Sequence, residues 1–191
     1  MPGRGRQWLA GRSLTRAAAA RERFDRVLIC CCDGPTLDLA CGSGRRADRL
    51  LRQGVAALSV DLSPMAVAAA RFRGVPALHR DLFAQLPGTG RWSYAILADG
   101  ILGIGGDPVR VLRRSRELLA PDGVAIVEFA PAGTGSIVHP AHSNLATAPG
   151  TPVRWARVGI ECAPELAAAA ELRVVAAVTI SGRPIAWLAR S

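Results

Sequence analysis

The chain contains no lysine. All 24 basic residues are arginine, set against 15 acidic residues, for a formal net charge of +9. Arginine to the exclusion of lysine, beside abundant alanine and glycine, is what a GC-rich coding sequence produces. The charge therefore says little about a polyanionic partner. Aromatic residues are also few, at 5% of the chain, and the arginines are scattered. No basic surface interleaved with base-stacking rings is expected, and so no nucleic-acid partner. No apolar run reaches the length of a membrane span. The arginine- and alanine-rich N-terminus lacks the apolar core of a signal peptide and reads as a surface helix, so no membrane association is expected. The five cysteines, Cys30, Cys31, Cys32, Cys41 and Cys162, never fall at Cys-x-x-Cys spacing. That excludes the common zinc and dithiol patterns, and a reducing cytoplasm is the simplest setting.

What the chain does have is one distinctive turn, Thr36-Leu37-Asp38-Leu39-Ala40-Cys41-Gly42-Ser43-Gly44-Arg45. An apolar strand runs into a bend that only small residues can make, and a helix follows. Glycine permits the sharp turn and the close approach of a ligand, and the helix start behind it offers unpaired N–H groups. In open α/β sheets this strand end is where nucleotide-like cofactors bind.

Two cofactor classes use such a turn. Gly42, Gly44 and Ala47 satisfy the dinucleotide pattern G-x-G-x-x-G/A, which suits an NAD(P)-dependent oxidoreductase. The other pattern places an acid ahead of the glycines, and Asp38 supplies it. A pyrophosphate has little use for a carboxylate there, whereas a ligand carrying an ammonium and a sulfonium does. A buried strand also rarely carries an acid without a partner. The bland alternative is that Asp38 caps local backbone N–H groups.

Apolar runs alternate with helical patterns, which predicts an α/β fold with a mostly parallel sheet. A helical cap, residues 1–34, carries its helix over Leu14 to Cys31 and precedes one compact domain, residues 35–191. Strands are expected at Pro35–Cys41, Ala57–Leu62, Ala77–Asp81, Trp92–Ala98 and Val124–Phe129. Helices are expected at Arg45–Gln53, from Ser63-Pro64 to Arg73, from Asp107-Pro108 onward, and at Pro164–Glu171. Ser63 and Asp107 are N-cap residues with proline at the first helical position. Pro121-Asp122-Gly123 reads as a turn. Pro131–Thr151, rich in Gly, Pro, Ser and Thr, reads as a long irregular loop, followed by a short extended piece from Pro152 to Ile160. Arg173–Ile180 and Pro184–Ala189 form a closing hairpin.

The turn at Asp38–Gly44 and this order of elements resemble the class I S-adenosylmethionine (SAM) methyltransferase family. The resemblance covers nearly the whole chain from Pro35 onward. It implies a Rossmann-like sandwich around a mostly parallel seven-stranded sheet, with an antiparallel C-terminal hairpin strand. It also implies SAM as cofactor, with Asp38, Ala40, Gly42 and Gly44 at its methionine end. Asp61 would accept both ribose hydroxyls, Asp81 the adenine amino group, and Leu62, Met65 and Leu82 would flank the ring. Ala98 and Asp99 would lie beneath the sulfonium and the acceptor. Ala40 replaces the family's first glycine, a change expected to be tolerated with a negative φ.

Methyl transfer needs alignment of the acceptor with the methyl–sulfur bond more than covalent help. Where a hydroxyl or protonated amine is the acceptor, a base removes its proton. The candidates are Asp99, Glu128, His139 and His142, and no metal is expected. Trp8, Phe24, Trp92 and Trp155 are candidate pocket walls, with core packing favoured for Trp92 and Trp187. After the fourth strand the chain reads Leu97-Ala98-Asp99-Gly100-Ile101-Leu102, without the Asp/Asn-Pro-Pro-aromatic motif of nucleic-acid amino-methyltransferases. The expectation is an enzyme that methylates a small organic acceptor on O, N or C. The alternatives are the oxidoreductase, for which no Tyr-x-x-x-Lys pair exists in a chain without lysine, and a catalytically degenerate SAM-binding module.

Overall fold

The computed structural model describes residues 4–141 and 153–191. A long helix, α1 (Arg4–Ile29), leads into β1 (Thr36–Leu39), α2 (Arg45–Arg52), β2 (Ala57–Asp61), α3 (Pro64–Phe72), β3 (Ala77–His79) and β4 (Trp92–Leu97). Then come α4 (Pro108–Leu118), β5 (Leu119–Glu128), β6 (Ser136–Ala141), β7 (Val153–Val158), α5 (Ala163–Ala169), β8 (Leu172–Ile180) and β9 (Arg183–Arg190).

Seven strands form one sheet in the order β3-β2-β1-β4-β5-β9-β8. β1 pairs in parallel with both β2 and β4, and β9 is antiparallel to β5 and β8. The chain thus runs outward from β1 to β3 and then crosses back to β4. The reversal opens a crevice at the carboxyl ends of β1 and β4, the usual ligand position in open α/β sheets. The two-residue turn Ser181-Gly182 returns the last strand into the sheet, as the closing hairpin predicts.

Side chains alternate across the strands and build one core on each face. Leu37, Leu39, Leu97 and Val127 point to the side covered by α4 and α5. Ile96 and Ile126 point to the other, with Phe24 and Leu28 of α1, Leu50 of α2 and Val67 of α3. Two expected caps are present: Ser63 Oγ accepts from the Ala66 amide, and Asp107 Oδ1 from the Arg110 amide.

Three expectations are corrected. The expected turn at Pro121–Gly123 is carried inside β5 as an irregularity. Trp92 pairs with Leu119 and Tyr94 with Val124, so the intervening residues bulge from the ladder. The supposed loop from Pro131 to Thr151 contains β6, which pairs antiparallel with β7 as a separate two-stranded sheet. Pro140 lies within β6, a place proline tolerates at a sheet edge. Finally, α1 begins about ten residues before the expected helix start, in a segment whose arginines and glycines mask its helical character.

Candidate functional site

The turn after β1 is held in an unusual backbone conformation. Ala40, Gly42 and Gly44 all have positive φ, at 51°, 57° and 70°. A Cβ on Gly44 would stand 2.8 Å from the Ala70 Cβ, so glycine there lets the turn press against α3. A Cβ on Gly42 would meet nothing within 4 Å, so that glycine answers to its φ and leaves open space beside its backbone. The negative φ expected at Ala40 is wrong: an L-residue with a methyl group sits in the left-handed region, at a cost of about 1 kcal/mol.

Asp61 ends β2 and locks onto this turn. Its Oδ2 accepts from the Gly42 amide and its Oδ1 from the Ser63 amide, each at 2.8 Å. A carboxylate offers about four lone-pair positions, so one remains on each oxygen for a vicinal diol. Beside it opens a cavity of about 400 Å³. Ala40, Gly42, Asp61, Leu62, Asp81 and Leu82 line it, together with Phe83, Ile101, Ile104 and Trp155. Asp81 Oδ1 accepts from the Phe83 amide at 2.9 Å, fixing the carboxylate at the rim. The side chains fit an adenosyl group, with two carboxylates for the diol and an amino group and apolar walls for a ring, and Arg80 and Arg110 also line the cavity.

Behind the turn lies a buried charge network. Arg46, at the start of α2, is 1% exposed. Its guanidinium meets Asp25 of α1 at 3.1 Å, Asp38 of β1 at 3.5 Å, and Asp99 after β4. Arg45 bridges Asp25 at 2.5 Å and Asp99 at 2.8 Å. Arg183 at the start of β9 reaches Asp99 at 2.6 Å and Glu128 at 2.7 Å, and lies 3.6 Å over the Phe24 ring. Glu128 also accepts from the Asp99 amide at 2.5 Å. Burial raises the Asp99 pKa, but Arg46, Arg45 and Arg183 outweigh it and hold the carboxyl well below the usual range. Asp38 goes the other way. Full burial, only partly offset by Arg46 and Arg45, pushes it up to about 6. Neither of its oxygens accepts a hydrogen bond, so it does not cap local backbone amides.

A second cavity, of about 450 Å³, lies on the other side of Trp155. It is lined by Gly100, Leu102 and Gly103, by Glu128 at the end of β5 and the following Phe129 to Pro131, and by Gly182 and Arg183. The β6–β7 hairpin closes it with His139, Trp155 and Arg157. The glycine-rich segment after β4 forms a 3-10 turn, Ile101–Gly103, on which β7 rests. A Cβ on Gly103 would fall 1.9 Å from the Ala156 carbonyl oxygen, so only glycine admits the strand.

Several of the residues singled out in the sequence therefore converge. Ala40, Gly42, Asp61, Leu62, Asp81 and Leu82 share the first cavity, and Glu128 and His139 the second. Asp38, Gly44, Ala98 and Asp99 support the turn from behind and do not line the first cavity. Met65 is 83% exposed and stands outside it. Asp99 and Glu128 are engaged by arginines. His139 is exposed, with Nδ1 3.4 Å from the Pro140 carbonyl oxygen. His142 and the side chain of Trp8 lie outside the described residues. Of the aromatic candidates, Trp155 lines both cavities and Phe24 is buried beneath Arg183. Among the described residues no group of three ligating side chains could hold a metal, and no helix is long and apolar enough to cross a membrane. The arginines of the network, and Arg157, were not singled out in the sequence. Arg45-Arg46 directly after the turn was the one signal, hidden in a chain with arginines everywhere.

Residues 37–127 match a methyltransferase domain family. Among solved structures, the chain is similar to the 1,6-didemethyltoxoflavin-N1-methyltransferase of Burkholderia thailandensis, solved with 1,6-didemethyltoxoflavin and S-adenosylhomocysteine (SAH). The two are 20% identical, with 95% of this chain and 83% of that one covered and a TM-score of 0.71. A SAM-dependent methyltransferase from Bacteroides fragilis, in complex with SAH, is 21% identical over 87% of this chain and 76% of its own, at a TM-score of 0.70. An O-methyltransferase from neocarzinostatin biosynthesis, solved with SAH and 1,4-dihydroxy-2-naphthoic acid, is 25% identical. It covers 83% of this chain and 49% of its own, at a TM-score of 0.62. No curated protein matches the chain.

Proposed function

We propose that the chain is a class I S-adenosylmethionine-dependent methyltransferase and that it methylates a small organic acceptor held beneath the β6–β7 hairpin. The observation that carries this reading is Trp155, which lines both cavities. The first cavity offers carboxylates and apolar walls suited to an adenosyl group, and the second is a separate space of small-molecule size. The two spaces are adjacent at Trp155, which supports an acceptor held near the cofactor, the proximity that direct displacement requires.

SAM supplies a methyl group already activated on a sulfonium. The remaining tasks fall to the protein. Asp61 and Asp81 orient the nucleoside, and Trp155 and the hairpin exclude water. A base at the second cavity takes a proton when the acceptor is a hydroxyl or an ammonium. Asp99 and Glu128 are both committed to Arg183, which leaves His139 as the group with a free ring nitrogen at the cavity. The relatives solved with small organic molecules support this acceptor class.

The test is SAH release from SAM over a panel of hydroxylated and amino-substituted aromatic acceptors. Turnover with one of them, with an acidic limb in the pH–rate profile that His139→Gln abolishes, is the expected outcome. A profile unaltered by that substitution would remove His139 from the mechanism. Absence of turnover across the panel would contradict the acceptor class.

A further inference from the structure

The charges around the second cavity do not cancel. Its ionic lining is Glu128, Arg157 and Arg183. Glu128 and Arg183 neutralise each other through two close contacts, both at 2.7 Å, and Arg183 also spans to Asp99. Arg157 has no ion pair among the described residues, and the segments 1–3 and 142–152 contain no acidic residue. One positive charge at the cavity is therefore left without a protein partner.

Its position follows from the hairpin. Side chains alternate along a strand, so Trp155 and Arg157 share a face of β7. The register sets His139 of β6 directly opposite Trp155. A flat ring against Trp155 would have the guanidinium at one edge and the imidazole near it. Arg157 is exposed at the mouth of this cavity, free to turn its guanidinium to a ligand's anion, and a guanidinium grips a carboxylate with two parallel hydrogen bonds. One guanidinium matches one carboxylate.

We propose that the acceptor is an aryl carboxylate, its carboxylate held by Arg157 and its ring by Trp155. Arg157 is then a specificity-determining residue of the acceptor site. This rests on the methyltransferase reading above and adds the charge of its substrate.

The experiment is calorimetric titration of the SAH-loaded protein with 3-hydroxy-2-naphthoate and with its neutral counterpart, 3-hydroxy-2-naphthamide. The naphthoate is expected to bind about tenfold to a hundredfold tighter, the range for a charge-assisted contact. Arg157→Leu should erase that preference and Arg157→Lys should keep part of it, with SAH affinity unchanged in both. Equal affinity for acid and amide overturns the proposal. So does failure of both to bind while SAH still binds, or loss of SAH binding on Arg157→Leu alone. Failure of the unaltered protein to bind SAH is a different result, and contradicts the methyltransferase reading instead.

Discussion

Arg46 holds its guanidinium 3.5 Å from Asp38, both side chains 1% exposed, yet Asp38 accepts no hydrogen bond. The pair therefore rests on charge alone, and Arg46 is shared with Asp25 and Asp99. Through it the N-terminal helix, the first strand, the first crossover helix and the end of β4 are tied to one buried cation. Breaking such a cluster by removing one member costs more than forming it contributes.

Asp38 gives this cluster a pH dependence. Its folded pKa of about 6 lies above the unfolded value of about 3.9. The protonated form is thus favoured by folding. The associated stability is fully present below about pH 4 and is lost as the pH rises through about 6. Asp38→Asn has no such titration. Measured by urea unfolding, the stability of the unaltered protein relative to Asp38→Asn should fall by up to about 3 kcal/mol between pH 4 and pH 7. A difference constant across that range would mean that Asp38 is not buried as described.

Ala40 occupies the left-handed region at a φ of 51°. Ala40→Gly removes the steric cost of the methyl group but adds freedom to the unfolded chain. The net expectation is a gain of about 0.5–1 kcal/mol in unfolding free energy. A loss of stability would show that the methyl group packs usefully against the core around the turn.

Gly103→Ala tests how the hairpin is seated. The added methyl group would overlap the Ala156 carbonyl and press on the Trp155 ring. The variant should lose at least about 2 kcal/mol of stability, or keep its stability with β7 displaced. In either case SAH affinity should fall, because Trp155 lines that cavity. A variant with both stability and affinity unchanged would place β7 elsewhere.

The elements that position the site were legible because their signals are local. Asp38 lies near the end of the first strand, Asp61 ends the second and Asp81 follows the third, and Ser63-Pro64 and Asp107-Pro108 each open a helix. Strand β6 was not legible, since Ile137 and Val138 are its only strongly strand-forming residues amid glycine, proline, serine and threonine. The φ at Ala40 depends on how the turn closes onto Asp61, a contact across 19 positions. The ion network joins Asp25, Arg46, Asp99 and Arg183, which are brought together only when the sheet has formed. In a chain whose basic residues are all arginine, no single arginine announces its role.

The most direct test of the central claim is calorimetric titration with SAM and SAH, with NADPH in parallel, on the unaltered protein and on Asp61→Ala. The account predicts micromolar binding of SAM and SAH, no binding of NADPH, and a loss of about 1.5–3 kcal/mol of SAH affinity in a folded Asp61→Ala. NADPH binding without SAH binding, or undiminished SAH affinity in Asp61→Ala, would contradict it.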